Sequence, residues 1–157
     1  MFRRLFEYEY WADREALASL AALAGSANGA GDRALRFFNH IIGANRVWLD
    51  RLEQRGASAA QPWPTLTLEE GREALEETNR RWGAYLNRVT PEGLSQDIVY
   101  RNTKGVEFAT LLQDILMHLV THSAYHRGQV AAAVREAGGK PAATDYVVWV
   151  RQVKARQ

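Results

Sequence analysis

The sequence predicts an all-α protein, a four-helix bundle with a short β-hairpin before its last long helix, on three observations. Four amphipathic segments of roughly 20 to 29 residues are divided by breaks rich in glycine and proline. One stretch, Ile98 to Phe108, alternates with the period of strands. There is no cysteine, so no disulfide framework competes with an apolar helical core.

The first segment runs from Phe2 to Ala24, with Leu5, Phe6, Tyr8, Trp11, Ala12, Leu17 and Leu20 on its apolar face, and ends in the glycine-rich break Gly25 to Gly31. The second starts near Asp32, read as its N-cap, carries His40 and runs to about Arg55, ahead of Gly56 and a loop containing Pro62 and Pro64. That loop exceeds what a tight helical hairpin needs and is long enough to cross over. The third opens at Thr67, whose spacing to Glu70 is that of a capping box, and reaches about Val89, where Pro91 and Gly93 close it. Ile98 and Tyr100, then Val106 and Phe108, flank Asn102-Thr103-Lys104-Gly105 as the arms of a hairpin. The fourth helix runs from about Ala109 to Ala137 and stops at Gly138-Gly139, with Pro141 after it. A last helical turn, Asp145 to Val150, brings further aromatic side chains onto the bundle.

A chain of 157 residues with 46% apolar content reads as one domain, residues 1–157, with enough core to fold alone. Its charge is near balance, 20 basic against 18 acidic residues, and the arginines alternate with acids along helix surfaces. That pattern is a solvated face and not a nucleic-acid footprint. Glu7, Glu9 and Asp13 interrupt what a signal peptide would need as its apolar core, and no apolar run reaches 18 residues. The expectation is a cytoplasmic protein with neither a nucleic acid nor a membrane as partner. The aromatic first helix and the last apolar element offer more apolar surface than one small bundle covers, which points to a homodimer.

The chemistry concentrates in the last long helix, where His118, His122 and His126 stand four residues apart; the remaining histidine is His40. Each step of four advances about 40° around a helix and about 6 Å along it, so neighbours in this series stack on one face. That face is the apolar stripe of Leu111, Leu112, Ile115, Leu119 and Val130. Imidazoles placed there need partners for their nitrogens, and a divalent metal satisfies several at once. His118 and His126 are about 12 Å apart along the axis, too far to share an ion whose bonds are about 2.0–2.1 Å. The pair is therefore His118 with His122 or His122 with His126, and His40, beside Gly43 and Ala44, is the candidate third ligand. Three neutral imidazoles with open positions suit a catalytic rather than a structural site.

The opening Phe6-Glu7-Tyr8-Glu9-Tyr10-Trp11-Ala12, the stretch His40 to Leu49, the run His118 to Gln129 ending in His-Arg-Gly-Gln, and the late Asp145-Tyr146-Val147-Val148-Trp149 together resemble the DinB family. Its superfamily also holds the bacillithiol S-transferase and mycothiol-dependent maleylpyruvate isomerase types. The resemblance covers nearly the whole chain and implies an up-down-down-up four-helix bundle, frequent dimerisation, and a divalent ion held by His40, His122 and His126. It makes His118 a non-ligand. Asn45 stands where many relatives carry glutamate, which removes a charge from near the metal.

The function this implies is metal-dependent transfer of a low-molecular-weight thiol, with zinc or nickel as the ion. The alternative is a non-catalytic metal-binding stress protein that buffers, senses or interacts. A hydrolase is disfavoured because His122-Ser123-Ala124-Tyr125-His126 lacks the glutamate base of zinc proteases. Di-iron chemistry is disfavoured because no histidine has a glutamate three residues before it. Arg127 and Arg46 are candidates to receive an acidic thiol, although a salt-bridged arginine is the commoner role. Gln129, about one turn beyond His126, is a candidate to orient that ligand. Tyr125, Trp48 and Trp149 read as core or interface aromatics.

Overall fold

In the computed structural model, residues 1–23, 29–53, 60–102 and 104–155 are described. The elements are α1 (Phe2–Ala21), α2 (Ala30–Leu52), α3 (Leu68–Leu86), α4 (Pro91–Leu94), β1 (Asp97–Arg101), β2 (Glu107–Leu111), α5 (Leu112–Glu136) and α6 (Tyr146–Ala155). The protein is thus mostly α with one two-stranded antiparallel sheet. Of the break expected at Gly25 to Gly31, residues 25–28 lie outside the described residues, as does the helix end expected at Arg55 with Gly56 after it, whereas Ala30 and Gly31 already belong to α2.

Several boundaries differ from expectation for local reasons. Asp32 is not the N-cap of α2; the helix begins two residues earlier, after Gly29, and Asp32 lies in its first turn, where a carboxylate favours the positive end of the helix dipole. The third helix stops at Leu86 instead of Val89, and Pro91 opens a separate turn, α4, capped by Thr90, whose hydroxyl accepts from the Gly93 amide at 3.1 Å. The last long helix starts at Leu112 and not Ala109. Ala109 and Thr110 pair with Val99 and Ile98 in the hairpin, so the chain passes from strand to helix without a loop. With no side-chain cap available, the Leu112 amide donates to Gln96 O at 3.0 Å. The final element is a ten-residue helix and not a single turn.

Two expected signals are realised in full. Thr67 and Glu70 form the reciprocal capping box of α3. Gly138, at φ +83°, ends α5, with its amide on Arg135 O and the Gly139 amide on Val134 O, both at 2.9 Å. Only a residue without Cβ adopts that backbone cheaply.

Packing places α1 against α3 and α5, and α2 against the same two helices, with α2 and α5 sharing the most extensive contact. Contacts fix the directions. Arg3 reaches Leu86 and Tyr10 reaches Glu76, so α1 and α3 run oppositely. Asn39 reaches Leu66, Arg46 pairs with Glu77 and Arg81 with Asp50, so α2 and α3 run together. His40 meets His122 while Trp48 meets His118, so α2 and α5 are antiparallel.

One apolar cluster around Phe38, Ile42 and Val134 fills one end of the bundle, and another around Leu49, Trp82 and Leu116 fills the other. A third, of Tyr8, Ala12 and Trp149, fastens α6 onto α1. The aromatic face of α1 is therefore largely consumed inside the chain: Phe2, Phe6 and Tyr8 are all buried. No helix among the described residues is long and apolar enough to cross a membrane.

Candidate metal centre

The long contact of α2 with α5 carries the site between the two apolar clusters. His40 and His126 are each 8% exposed and His122 is half-buried, so the imidazoles sit in the bundle wall facing one another. One ligand atom from each lies within 4.8 Å of the others, and His40 Nε2 and His122 Nε2 are 3.2 Å apart. Tetrahedral nitrogens around one ion with bonds of about 2.0–2.1 Å stand about 3.4 Å apart, so this group could bind a divalent ion with small adjustments.

The outer nitrogens decide which inner ones are free. Pro62 O can only accept, so the proton of His40 is on Nδ1, which donates at 2.6 Å and leaves a lone pair on Nε2. His126 Nδ1 donates likewise to Gln129 Oε1 at 2.6 Å. Gln129 thus holds a ligand candidate, as its position suggested. His122 differs. Its Nδ1 is buried without a partner among the described residues, which makes it the least anchored of the three.

Electrostatics favour the neutral, ligating form of His122 and His40. Burial, reinforced by His126, His40 and His118, pushes His122 down to about 4. Burial also lowers His40, more than its bond to Pro62 raises it, and His126 lowers it further.

A strap of chain before α3 closes one side. Trp63 lies flat on His40, with ring centroids 3.7 Å apart and planes at 9°, and Phe37 stacks on His126 at 6.2 Å. Gly43 makes this possible. A Cβ there would stand 2.5 Å from Gln61 O and 2.7 Å from Pro62 O, so the room that Gly43 leaves on α2 is filled by the strap.

His118 is not in the group. It is exposed, one turn before His122, with its ring centroid 5.3 Å from that of His122 and 6.1 Å from that of Trp48. Asn45 faces inward: its amide donates to Ile41 O at 3.0 Å and it accepts from Trp82 Nε1 at 2.8 Å. The position that lacks a carboxylate is thus a hydrogen-bonding joint between α2 and α3. Arg127 and Arg46 do not wait for a substrate, since Arg127 pairs with Glu9 and Asp13 and Arg46 with Glu77. Trp149 is buried as expected and Trp48 is half-buried, whereas Tyr125 is 66% exposed, its ring edge 5.1 Å from His126.

Sequence reasoning did not single out Trp63, Phe37, Glu9 or Asp13. A tryptophan between two prolines was a visible signal for a stiff, placed aromatic. Glu9 and Asp13 continue the buried row Phe2, Phe6, Ala16, Leu20, and acids inside an apolar row need a buried partner.

A helical bundle whose facing helices bring three imidazoles together belongs to the class of proteins able to hold a metal ion between helices. Comparison with known proteins gives the family: the model of the DinB family matches residues 1–154, and the chain belongs to that family. It is similar to Protein DinB of Bacillus subtilis (strain 168), 22% identical over 167 residues that cover 98% of this chain and 96% of the relative. No solved structure matches the chain significantly.

Proposed function

We propose that His40, His122 and His126 hold one divalent ion, zinc or nickel, and that the protein uses it to transfer a small-molecule thiol to a carbon electrophile. The observation that supports this reading is the convergence of three imidazoles, two of them with their outer nitrogens already fixed as donors. When bound, the ion supplies Lewis acidity that brings a coordinated thiol toward neutral pKa.

The chain's own residues do the rest. Pro62 and Gln129 fix the tautomers of His40 and His126, and Trp63 covers one face of the His40 imidazole. The chain has no thiol of its own, so the reactive sulfur comes with the substrate. In the net reaction the thiol gives its proton to solvent, a sulfur–carbon bond forms, and the carbon–halogen bond breaks with its electron pair leaving on halide.

The test compares the metal-loaded protein with His122→Ala, offering bacillithiol, mycothiol and glutathione in turn, each with a chlorinated aromatic. Faster transfer by the loaded protein for at least one thiol is the expected result. Equal rates for every pair would leave a second reading, a metal-binding stress protein without catalysis, which the flat stacking of Trp63 over His40 favours by closing one side of the site.

A further inference from the structure

Arg127 follows His126 directly, yet it points away from the histidines into the contact with α1. It is 3% exposed. Its two terminal nitrogens grip Glu9 as a fork, NH2 to Oε1 at 2.7 Å and NH1 to Oε2 at 2.9 Å, and NH1 also donates to Asp13 Oδ1 at 2.9 Å. NH2 reaches Tyr8 Oη at 3.3 Å, and that hydroxyl donates to Thr144 O at 2.8 Å. The residue adjacent to the ligand candidate His126 is therefore tied to two carboxylates of α1.

We infer that Glu9, Asp13 and Arg127 are positioning residues, a clasp that fixes the rotational phase of α5 and so aims His122 and His126 at His40. The inference rests on the metal reading above and goes beyond it to what prepares the site.

Magnitudes favour this over a plain stabilising role. Two buried carboxylates on one guanidinium are costly to desolvate, and apolar side chains of equal volume commonly stabilise a core as well or better. What apolar packing lacks is direction. The planar fork accepts carboxylates at set angles, whereas the neighbouring Val130, Ala133 and Val134 tolerate rotation. Side-chain tips lie about 5–6 Å from a helix axis, so a 20° turn of α5 moves an imidazole nitrogen by about 2 Å. That equals a whole metal–nitrogen bond. His122, whose Nδ1 has no partner among the described residues, has the most to lose.

The test uses the full-length chain with cobalt(II) alone as a spectroscopic probe. Cobalt affinity, the visible d–d spectrum and the thermal midpoint of the metal-free protein are measured for wild type, Arg127→Lys, Glu9→Gln and His122→Ala. Arg127→Lys keeps the charge and removes the fork; Glu9→Gln keeps the shape and removes a charge. The clasp requires a folded Arg127→Lys or Glu9→Gln protein with cobalt binding weakened about ten- to a hundred-fold and a changed d–d spectrum. Variants with a lower thermal midpoint but wild-type affinity and spectrum would reduce the cluster to a structural ion pair and overturn the inference. If Arg127→Lys does not fold, Glu9→Gln carries the same comparison. Wild-type protein that binds no cobalt would overturn the metal reading and this inference together, a result distinct from failure of the clasp alone.

Discussion

Four histidines share one bundle and the geometry divides them three to one, which makes the sharpest predictions at the scale of the residue. His40→Ala, His122→Ala and His126→Ala should each abolish stoichiometric binding of a divalent ion, whereas His118→Ala should leave affinity within about two-fold, because His118 is not among the three whose ligand atoms lie within 4.8 Å of one another. Metal analysis of protein purified without a chelating resin decides this. An essential His118 beside a dispensable His126 would reverse the assignment. Gln129→Leu removes the acceptor that holds His126 Nδ1 and should weaken binding about ten- to a hundred-fold without loss of fold. Acid acts on the same ligands. An unfolded histidine titrates near 6.5 and His122 only at about 4, so as pH falls the unfolded chain takes up its proton first. The stability of the metal-free protein should therefore decline from about pH 6.5 toward 4 on this group's account, and His122→Phe should remove part of that decline in urea titrations.

At the scale of the element, the strap over α2 couples backbone room to ligand orientation. Gly43→Ala raises helix propensity by about 0.5–1 kcal/mol, but its Cβ would stand 2.5 Å from Gln61 O and 2.6 Å from Pro64 Cδ. The strap must move, and with it the Pro62 carbonyl and Trp63. The expected outcome is metal binding weakened about ten-fold or more, with a shift in tryptophan emission, and little change in melting temperature. Unchanged binding would show that the Pro62 bond does not set the orientation of His40.

The elements also show what the sequence disclosed. Helix existence was legible wherever a stripe was long and its ends carried local chemistry, as at Thr67-Glu70 and Gly138. Starts that depend on the rest of the chain were not. Leu112 is capped by Gln96 across the hairpin, and Ala109 enters a strand because Val99 pairs with it. The histidine group was legible as residues, and its pairing came from resemblance. Pro62-Trp63-Pro64 and the acids in the apolar row of α1 were signals, but what each packs against was hidden, since Glu9 and Arg127 stand 118 residues apart and no local pattern names such a partner.

Over the whole molecule, the fold leaves apolar surface on particular elements. Val99 and Phe108 of the hairpin and Val147 of α6 are exposed, while the aromatic face of α1 first invoked for self-association is mostly buried within the chain. A homodimer is accordingly proposed through the hairpin and α6, not through α1. Light scattering at micromolar concentration should return about twice the chain mass of 17.7 kDa, and the chain mass itself would end that proposal.

The clasp between α1 and α5 sets a second whole-molecule property, the pH dependence of stability, with a sign opposite to that of His122. Burial raises Glu9 to about 7 against the pull of Arg127, which lowers it, and burial raises Asp13 as well. A carboxyl raised in the folded state binds its proton more tightly there than in the unfolded chain. Its contribution is therefore complete below the ordinary carboxylate pKa of about 4.5 and is lost as pH rises through about 7. Between about pH 4.5 and 6.5 these carboxyls oppose His122, so the metal-free wild type should show a shallow stability profile in that window. Glu9→Gln removes one carboxyl's share and leaves those of Asp13 and His122. Its urea-unfolding free energy should then climb more steeply with pH than the wild type's from about 4.5 to 7. Parallel profiles for the two proteins would mean that Glu9 is already ionised across this range, held by Arg127 more strongly than burial opposes it.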